Sequence, residues 1–242
     1  MEALLPTRRD EAWRYSDIDA MALVWPLPAP ESIIVPVGAD FARTIVQDSG
    51  TIHQLDLAVG NGATATINVL NIGGDYGRVE LNVTLQEGAD FKLGAVQIGS
   101  ADQILEIVTT VTHAEPGATS SQIVRSVLAG KATGTYLGKV AVARDAQKTD
   151  SEQSVKAMLL DRTATANAKP ELEIDADDVK CAHGCAIGEL DPMGLFSLQA
   201  RGIAPADAKK LMLQAFVAGV FEGAADEEML TEAALKKLGE LV

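Results

Sequence analysis

The chain has 242 residues, 47% of them hydrophobic and only 4% aromatic, and a formal net charge of −14. A chain of this size buries roughly 70–75% of its unfolded surface without staples, and a charge of this sign repels phosphate backbones and anionic lipid, which argues against nucleic-acid and membrane partners. Two cysteines form no disulfide framework, no stretch approaches the roughly 18 apolar residues of a membrane span, and the first residues lack a signal-type apolar run, so a cytoplasmic, reducing location is expected.

Residues 1–30 are expected to form a short helical segment and a linker. Thr7 is placed to cap a helix with Asp10 and Glu11 in its first turn, and "PLPAP" from Pro26 to Pro30 breaks it. From about Ile33 to Ile174 the pattern has a period of two, within a core expected over residues 31–190. "HQLDLAV" puts Leu55, Leu57 and Val59 on one face, and "RVELNVTLQ" does the same with Val79, Leu81, Val83 and Leu85. Turns carrying Gly-Ala recur at Gly62, Gly88 and Gly117, spaced by 26 and 29 residues, each followed by a strand. A repeat of that length, holding about two short strands, predicts a β-solenoid in which one coil covers the next. A β-sandwich with regular turns is the alternative.

Residues 191–242 return to helical spacing. "PMGLFSLQARG" predicts a short helix starting near Pro192, with Leu195 and Leu198 among its apolar residues and Gly202 past its end. "APADAKKLMLQAFVAGVFEG" predicts a longer one. Leu211, Ala215 and Ala218 fall on one face, and Leu213, Phe216, Val217, Val220 and Phe221 on the other, so both sides are expected to be covered. "DEEMLTEAALKKLGELV" carries acids first and lysines last, as the helix dipole favours.

"GNGATA" from Gly60 to Ala65 matches a dinucleotide fingerprint, but that motif needs a helix after it to hold a pyrophosphate. Here an alternating strand pattern follows, and there is no Walker A sequence, so this chain is expected to bind no nucleotide. His53 and His113 stand in strand or turn patterns with no nucleophile marked beside them. The 26- and 29-residue spacings also lack the tight hexapeptide period of solenoid acyltransferases.

The densest chemistry lies in "VKCAHGCAIGELD", Val179 to Asp191, which holds Cys181, His183 and Cys185. On a strand all three share one face, with neighbours about 6.6 Å apart and the outer pair about 13 Å apart. Metal bonds to sulfur and nitrogen are about 2.3 and 2.1 Å long, so a straight strand cannot wrap all three around one ion. A bend at Gly184, a site completed by a second chain, or simple burial remain open from spacing alone. A stand-alone metal or thiol-redox protein using Cys181, His183 and Cys185 is the rival reading.

"KPELEIDADDVKCAHGCAIGELD", Lys169 to Asp191, resembles the hallmark of the SufB/SufD family, scaffold subunits of the SUF iron–sulfur cluster assembly machinery. "LFSLQARGIAPADAKKLMLQAF", Leu195 to Phe216, and "PTRRDEAWRYSDI", Pro6 to Ile18, are also similar to that family. The sequence Lys180-Cys181-x-His183-Gly184 looks like the D-type subunit. The resemblance implies a right-handed parallel β-helix core between short helical ends, and a non-catalytic scaffold. It implies pairing with a SufB-type paralogue and a transient iron–sulfur cluster at that interface near His183 and, less directly, Cys181; a β-helix edge left bare should seek a partner, so a homodimer is expected when that paralogue is absent. It also implies a SufC-type ATPase docked on the helices after the core, through Leu195, Leu198, Leu211, Phe216, Val217 and Val220. Cys185 falls where many relatives carry alanine, so no ligand role carries over to it.

Overall fold

A computed structural model describes residues 5–10, 13–22 and 25–242; Glu11, expected in a leading helix, lies outside them. The strands run β1 (Glu31–Val35), β2 (Asp40–Gln47), β3 (Ile52–Val59), β4 (Thr64–Asn71), β5 (Tyr76–Leu85) and β6 (Asp90–Gly99). They continue as β7 (Ile104–His113), β8 (Thr119–Leu128), β9 (Thr133–Val142), β10 (Asp150–Leu159), β11 (Thr165–Ile174) and β12 (Lys180–Glu189). Odd strands form one parallel sheet and even strands another, each in chain order. Each pair of consecutive strands is therefore one coil, and the chain is a parallel β-helix. The sandwich alternative fails because every strand pairs in parallel with the strand two places on.

The alternation read in the sequence becomes two inward rows. Leu55, Leu57 and Val59 on β3 and Val79, Leu81 and Val83 on β5 face Ala65, Ile67 and Val69 on β4 and Phe91, Leu93 and Ala95 on β6 in one buried core. Burying each large aliphatic contributes about 1.5–3 kcal/mol relative to leaving it in water. Gly62, Gly88 and Gly117 stack at one corner with φ of 62°, 64° and 71°, left-handed angles that cost most residues about 1–2 kcal/mol. Each donates its backbone N–H to the next corner, Gly62 to Glu87 at 2.8 Å and Gly88 to Pro116 at 3.0 Å. The column starts at Gly38, with φ of 65°, and its fifth member is Lys148, with φ of 63°, whose ammonium pairs with Asp178 on the following corner. The "GNGATA" stretch is one such corner followed by strand β4, so it lacks the helix a dinucleotide site requires.

The expected N-terminal helix shrinks to α1 (Ile18–Ala22). Thr7 caps a turn instead: its N–H donates to the Asp10 carboxylate at 2.8 Å, and the Asp10 N–H returns to the Thr7 carbonyl at 2.9 Å. The segment is held by tertiary contacts on the outer face of the odd sheet. There Arg78 on β5 and Glu106 on β7 are register neighbours, fully buried, with a 2.7 Å ion pair. The Ser16 hydroxyl donates to Glu106 at 2.9 Å, Glu80 takes the other guanidinium edge at 2.9 Å, and the Trp13 ring stacks 3.7 Å from the guanidinium carbon. Glu106 on one side and Glu80 on the other hold the Arg78 charge against its burial.

The C-terminal helices are α2 (Pro192–Gln199), α3 (Pro205–Val217) and α4 (Glu227–Gly239). The long apolar helix stops earlier than its pattern implied, because Ala218 turns extended and Gly219 left-handed, leaving Val220 and Phe221 in the following turns. Leu213, Val217, Val220, Phe221, Leu230 and Leu238 pack on the outward row of the even sheet, on Leu70, Val96, Ile98 and Val127. A side chain at Gly94 would meet the Val220 carbonyl at 2.3 Å, so only glycine lets the segment lie this close. This corrects one expectation. Val217 and Val220, expected at a partner surface, are 6% and 7% exposed and belong to the chain's own core.

Removing Glu106 leaves the buried guanidinium with Glu80 alone, so Glu106→Ala should lower urea-unfolding stability by about 3 kcal/mol, the low end for a broken buried pair. Arg43→Ala, at the exposed pair with Glu31, should cost no more than about 1 kcal/mol. Equal losses would show that the Arg78–Glu106 pair does not anchor the N-terminal segment.

Candidate functional site

Strand β12 is the last member of the even sheet and pairs with β10 alone. The register is unbroken from Asp150↔Lys180 to Leu159↔Glu189. The strand therefore does not bend at Gly184. Behind Cys181, His183, Cys185 and Ile187 stand Ser151, Gln153, Val155 and Ala157, all buried inward residues of the preceding coil. The four residues of β12 continue those inward columns, but no further coil covers them. His183, Cys185 and Ile187 are exposed, and Cys181 is half-buried against the small cluster of Val140, Val142, Ala146 and Ala176. Across the interior, β11 ends the odd sheet with Ala168, Pro170, Leu172 and Ile174 on the inward columns of β9. Two ten-residue strands thus offer unpaired backbone edges around a row of thiols and one imidazole.

The other end of the solenoid is different. Glu31 and Arg43 occupy inward columns, in register with the core residues Leu55 and Ile67. They join the two sheets in a two-pronged ion pair at 3.0 and 2.9 Å. Inward-pointing charge and a five-residue first strand blunt that end.

On a straight strand the side chains of Cys181, His183 and Cys185 project in parallel about 6.6 Å apart, too far to share one ion. No group of three metal-ligating side chains converges among the described residues. Cys181 and Cys185 are free, and a span of about 13 Å far exceeds the roughly 7 Å between Cα atoms that a disulfide spans. Burial pushes the Cys181 thiol up, with the Asp150 carboxylate adding to it, and burial alone pushes Cys185 up. Both are protonated thiols at neutral pH, unsuited to redox attack without an activating partner. The single-chain metal or redox reading loses its geometry here. What the row can do is supply part of a ligand set to something that covers the open end.

Sequence reasoning missed the polar columns behind this row. The His113 ring lies 2.9 Å from the Ser120 hydroxyl, which lies 2.8 Å from Ser151. Thr109 and Tyr136 donate to the Gln122 side-chain oxygen at 3.1 and 3.2 Å, and Gln153 donates to the Tyr136 hydroxyl at 3.4 Å. These residues fill the interior just behind the open coil. The signal was present: "TSSQIV", "DSEQSV" and "KCAHGC" align coil on coil, placing Ser120, Ser151 and Cys181 in one column and Gln122, Gln153 and His183 in the next. His53 is exposed and bonded to Thr51, and His113 is sealed in the interior.

The second surface lies on the helices that follow β12. Asp191 starts α2 by accepting the N–H groups of Met193 and Gly194, both at 3.0 Å. Met193 and Phe196 are 69% and 65% exposed, and Leu211 is 45% exposed. Leu195, Leu198 and Phe216 are half-buried. Between α3 and α4 runs a groove of about 420 Å³ lined by Leu211, Ala215, Phe221 and Leu235 among others.

The chain is thus a parallel β-helix blunted at one end and open at the other, with imidazole and thiols on the open coil. The model of the SUF system FeS cluster assembly SufBD core domain matches residues 32–216. The chain is 30% identical over 186 residues to the iron–sulfur cluster assembly protein SufD of Escherichia coli, covering 76% of this chain and 44% of that one. It is 31% identical over 180 residues to a SufBD family protein of Synechocystis, covering 73% and 40%. It is 34% identical over 167 residues to the chloroplastic protein ABCI7 of Arabidopsis thaliana, covering 68% and 35%. The chain belongs to the SufB/SufD family and is of the SufD type; it spans under half the length of these relatives. No described helix is long and apolar enough to cross a membrane.

Burial lowers the His113 pKa to about 4, against a smaller opposing effect of a backbone hydrogen bond at Ala118. Unfolded, the ring titrates near ~6.5, so its contribution is full above that pH and is lost as pH falls toward 4, by about 3 kcal/mol. Urea unfolding between about pH 7 and pH 4 should show the wild type losing that much more stability than His113→Gln. Parallel curves would mean that the ring is not buried in its neutral form.

Proposed function

We propose that the chain is a non-catalytic scaffold subunit for iron–sulfur cluster assembly, working in a reducing, cytoplasmic compartment. The observation that carries this reading is the row of Cys181, His183 and Cys185 on the unpaired strand β12. A SufB-type paralogue pairs with the open end and completes the coordination that one strand cannot. The nascent cluster is cargo there, held between the partner's ligands and His183, with Cys181 as a secondary contact. Imidazole and thiolate are both ligands that iron–sulfur chemistry accepts. In the absence of that paralogue, the same edge pairs two copies of this chain.

A SufC-type ATPase docks on the C-terminal helices. Leu211 and the half-buried Leu195, Leu198 and Phe216 belong to that surface, and the exposed Met193 and Phe196 extend it. Val217 and Val220 act behind it, holding the helices on the sheet. Because α2 starts two residues after β12 ends, a push on these helices is delivered next to the open coil.

Co-expression with SufB-type and SufC-type partners, co-purification, and iron and sulfide analysis test both halves. His183→Ala should leave the complex intact and cut bound iron and sulfide at least tenfold. Leu211→Asp, with Phe196→Asp as a second variant, should release the ATPase and spare the pairing. Stoichiometric iron on the isolated chain, lost in Cys181→Ala or Cys185→Ala, would restore the stand-alone metal protein and end the scaffold reading.

A further inference from the structure

The three chemical groups of the open coil do not stand on equivalent ground. Behind Cys181 is Ser151, whose hydroxyl is already bonded to Ser120 at 2.8 Å. Behind Cys185 is Val155, which has no polar side-chain atom. Behind His183 is Gln153, 1% exposed, whose side-chain oxygen is buried and has no hydrogen-bond partner. A buried acceptor left unmade costs about 1–3 kcal/mol, so such a group calls for a donor.

Two donors are within reach by register. An amide oxygen has two lone pairs, and parallel strands lie about 4.8 Å apart, so side chains in one column are neighbours. On the inner side is Gln122, whose side-chain NH₂ is likewise buried and unpartnered. On the outer side is His183. Neither bond is formed in this structure; a turn of the Gln122 amide could serve one lone pair, and a neutral imidazole, with one N–H to give, could serve the other.

We propose that Gln153 is the positioning residue of His183: its side-chain oxygen accepts the imidazole N–H and fixes which ring nitrogen faces out of the solenoid with its lone pair free. A histidine that ligates a metal is commonly held this way, its second nitrogen donating to an acceptor that sets tautomer and ring orientation. The Tyr136, Gln122 and Gln153 amide–hydroxyl network behind it strengthens the contact by mutual polarisation. The inference deepens the scaffold reading and rests on it for its purpose. The proposed hydrogen bond needs no second chain, so it is testable on the isolated protein.

The chain has three histidines, so ring-nitrogen NMR of the isolated full-length protein, labelled with ¹⁵N-histidine, resolves each one. The measurement is made near pH ~8.5, about two units above the ordinary imidazole pKa, where the ring is neutral. The expected wild-type spectrum shows a single tautomer at His183. In Gln153→Leu the difference between its two nitrogen shifts collapses toward that of free imidazole. Gln153→Glu, which keeps an acceptor, retains the single tautomer. Gln122→Leu also disturbs the interior but leaves the Gln153 oxygen, so it too retains it. The buried His113 ring reports whether each variant is folded.

A wild-type His183 with the tautomer mixture of free imidazole overturns the proposal without any variant. So does an unchanged His183 in folded Gln153→Leu, or an equal loss in Gln122→Leu. If no complex forms with the SufB-type partner while this tautomer pattern holds, the assembly reading fails and the positioning role stands. The reverse pair of results separates them the other way.

Discussion

The constraint on which the rest depends is in-register parallel stacking. Each strand pairs with the strand one coil away, residue for residue, so every inward position becomes a column about 4.8 Å from its neighbours. A column has no freedom to mix types at random. An apolar residue stacks on an apolar one through Ala65, Phe91 and then, where the column turns polar, Ser120, Ser151 and Cys181. The polar run can be buried only because each hydroxyl meets the next. The site is therefore the outer end of columns that begin as hydrophobic core.

The same stacking explains why both terminal segments fold onto the outside. A flat outer face of parallel strands carries its own rows, and the two sheets use them differently. The odd sheet sets charge there: Arg78 and Glu106 in one row, covered by Trp13 and Ser16. The even sheet sets aliphatics there, Leu70, Val96, Ile98 and Val127, covered by the last helices. The first contact is a directional lock that fails if either charge is lost. The second is non-directional packing, which permits small sliding of helices over a sheet without breaking a specific bond.

Much of this was legible from residues alone. Period two over Leu55 to Val59 and Val79 to Leu85, with glycine at each corner, led to the solenoid because corners and inward rows are local features. The long apolar helix was misjudged at its end. Its pattern continues through Phe221, while Gly219 and the approach of Val220 to Gly94 end it at Val217. The leading helix was overestimated for a similar reason, since Trp13 and Ser16 serve the sheet and not a helix face. The i, i+2, i+4 spacing of Cys181, His183 and Cys185 puts all three on one face of a strand, but its position at an open end depends on counting coils, which no single stretch reveals. The interior polar network escaped because Ser and Gln on a strand look like solvent-facing residues until the coils are aligned.

Consider the solenoid as a monomer in the polymer chemist's sense. One terminus carries the Glu31–Arg43 pair, which puts opposite charges where a joining coil would place its core. The other carries bare strands β11 and β12. A unit with one reactive end cannot propagate: joining consumes that end on both members and leaves two inert ones. Pairing of the kind proposed above would stop at two, so a fold built from the same repetitive pairing that drives fibres would be self-terminating.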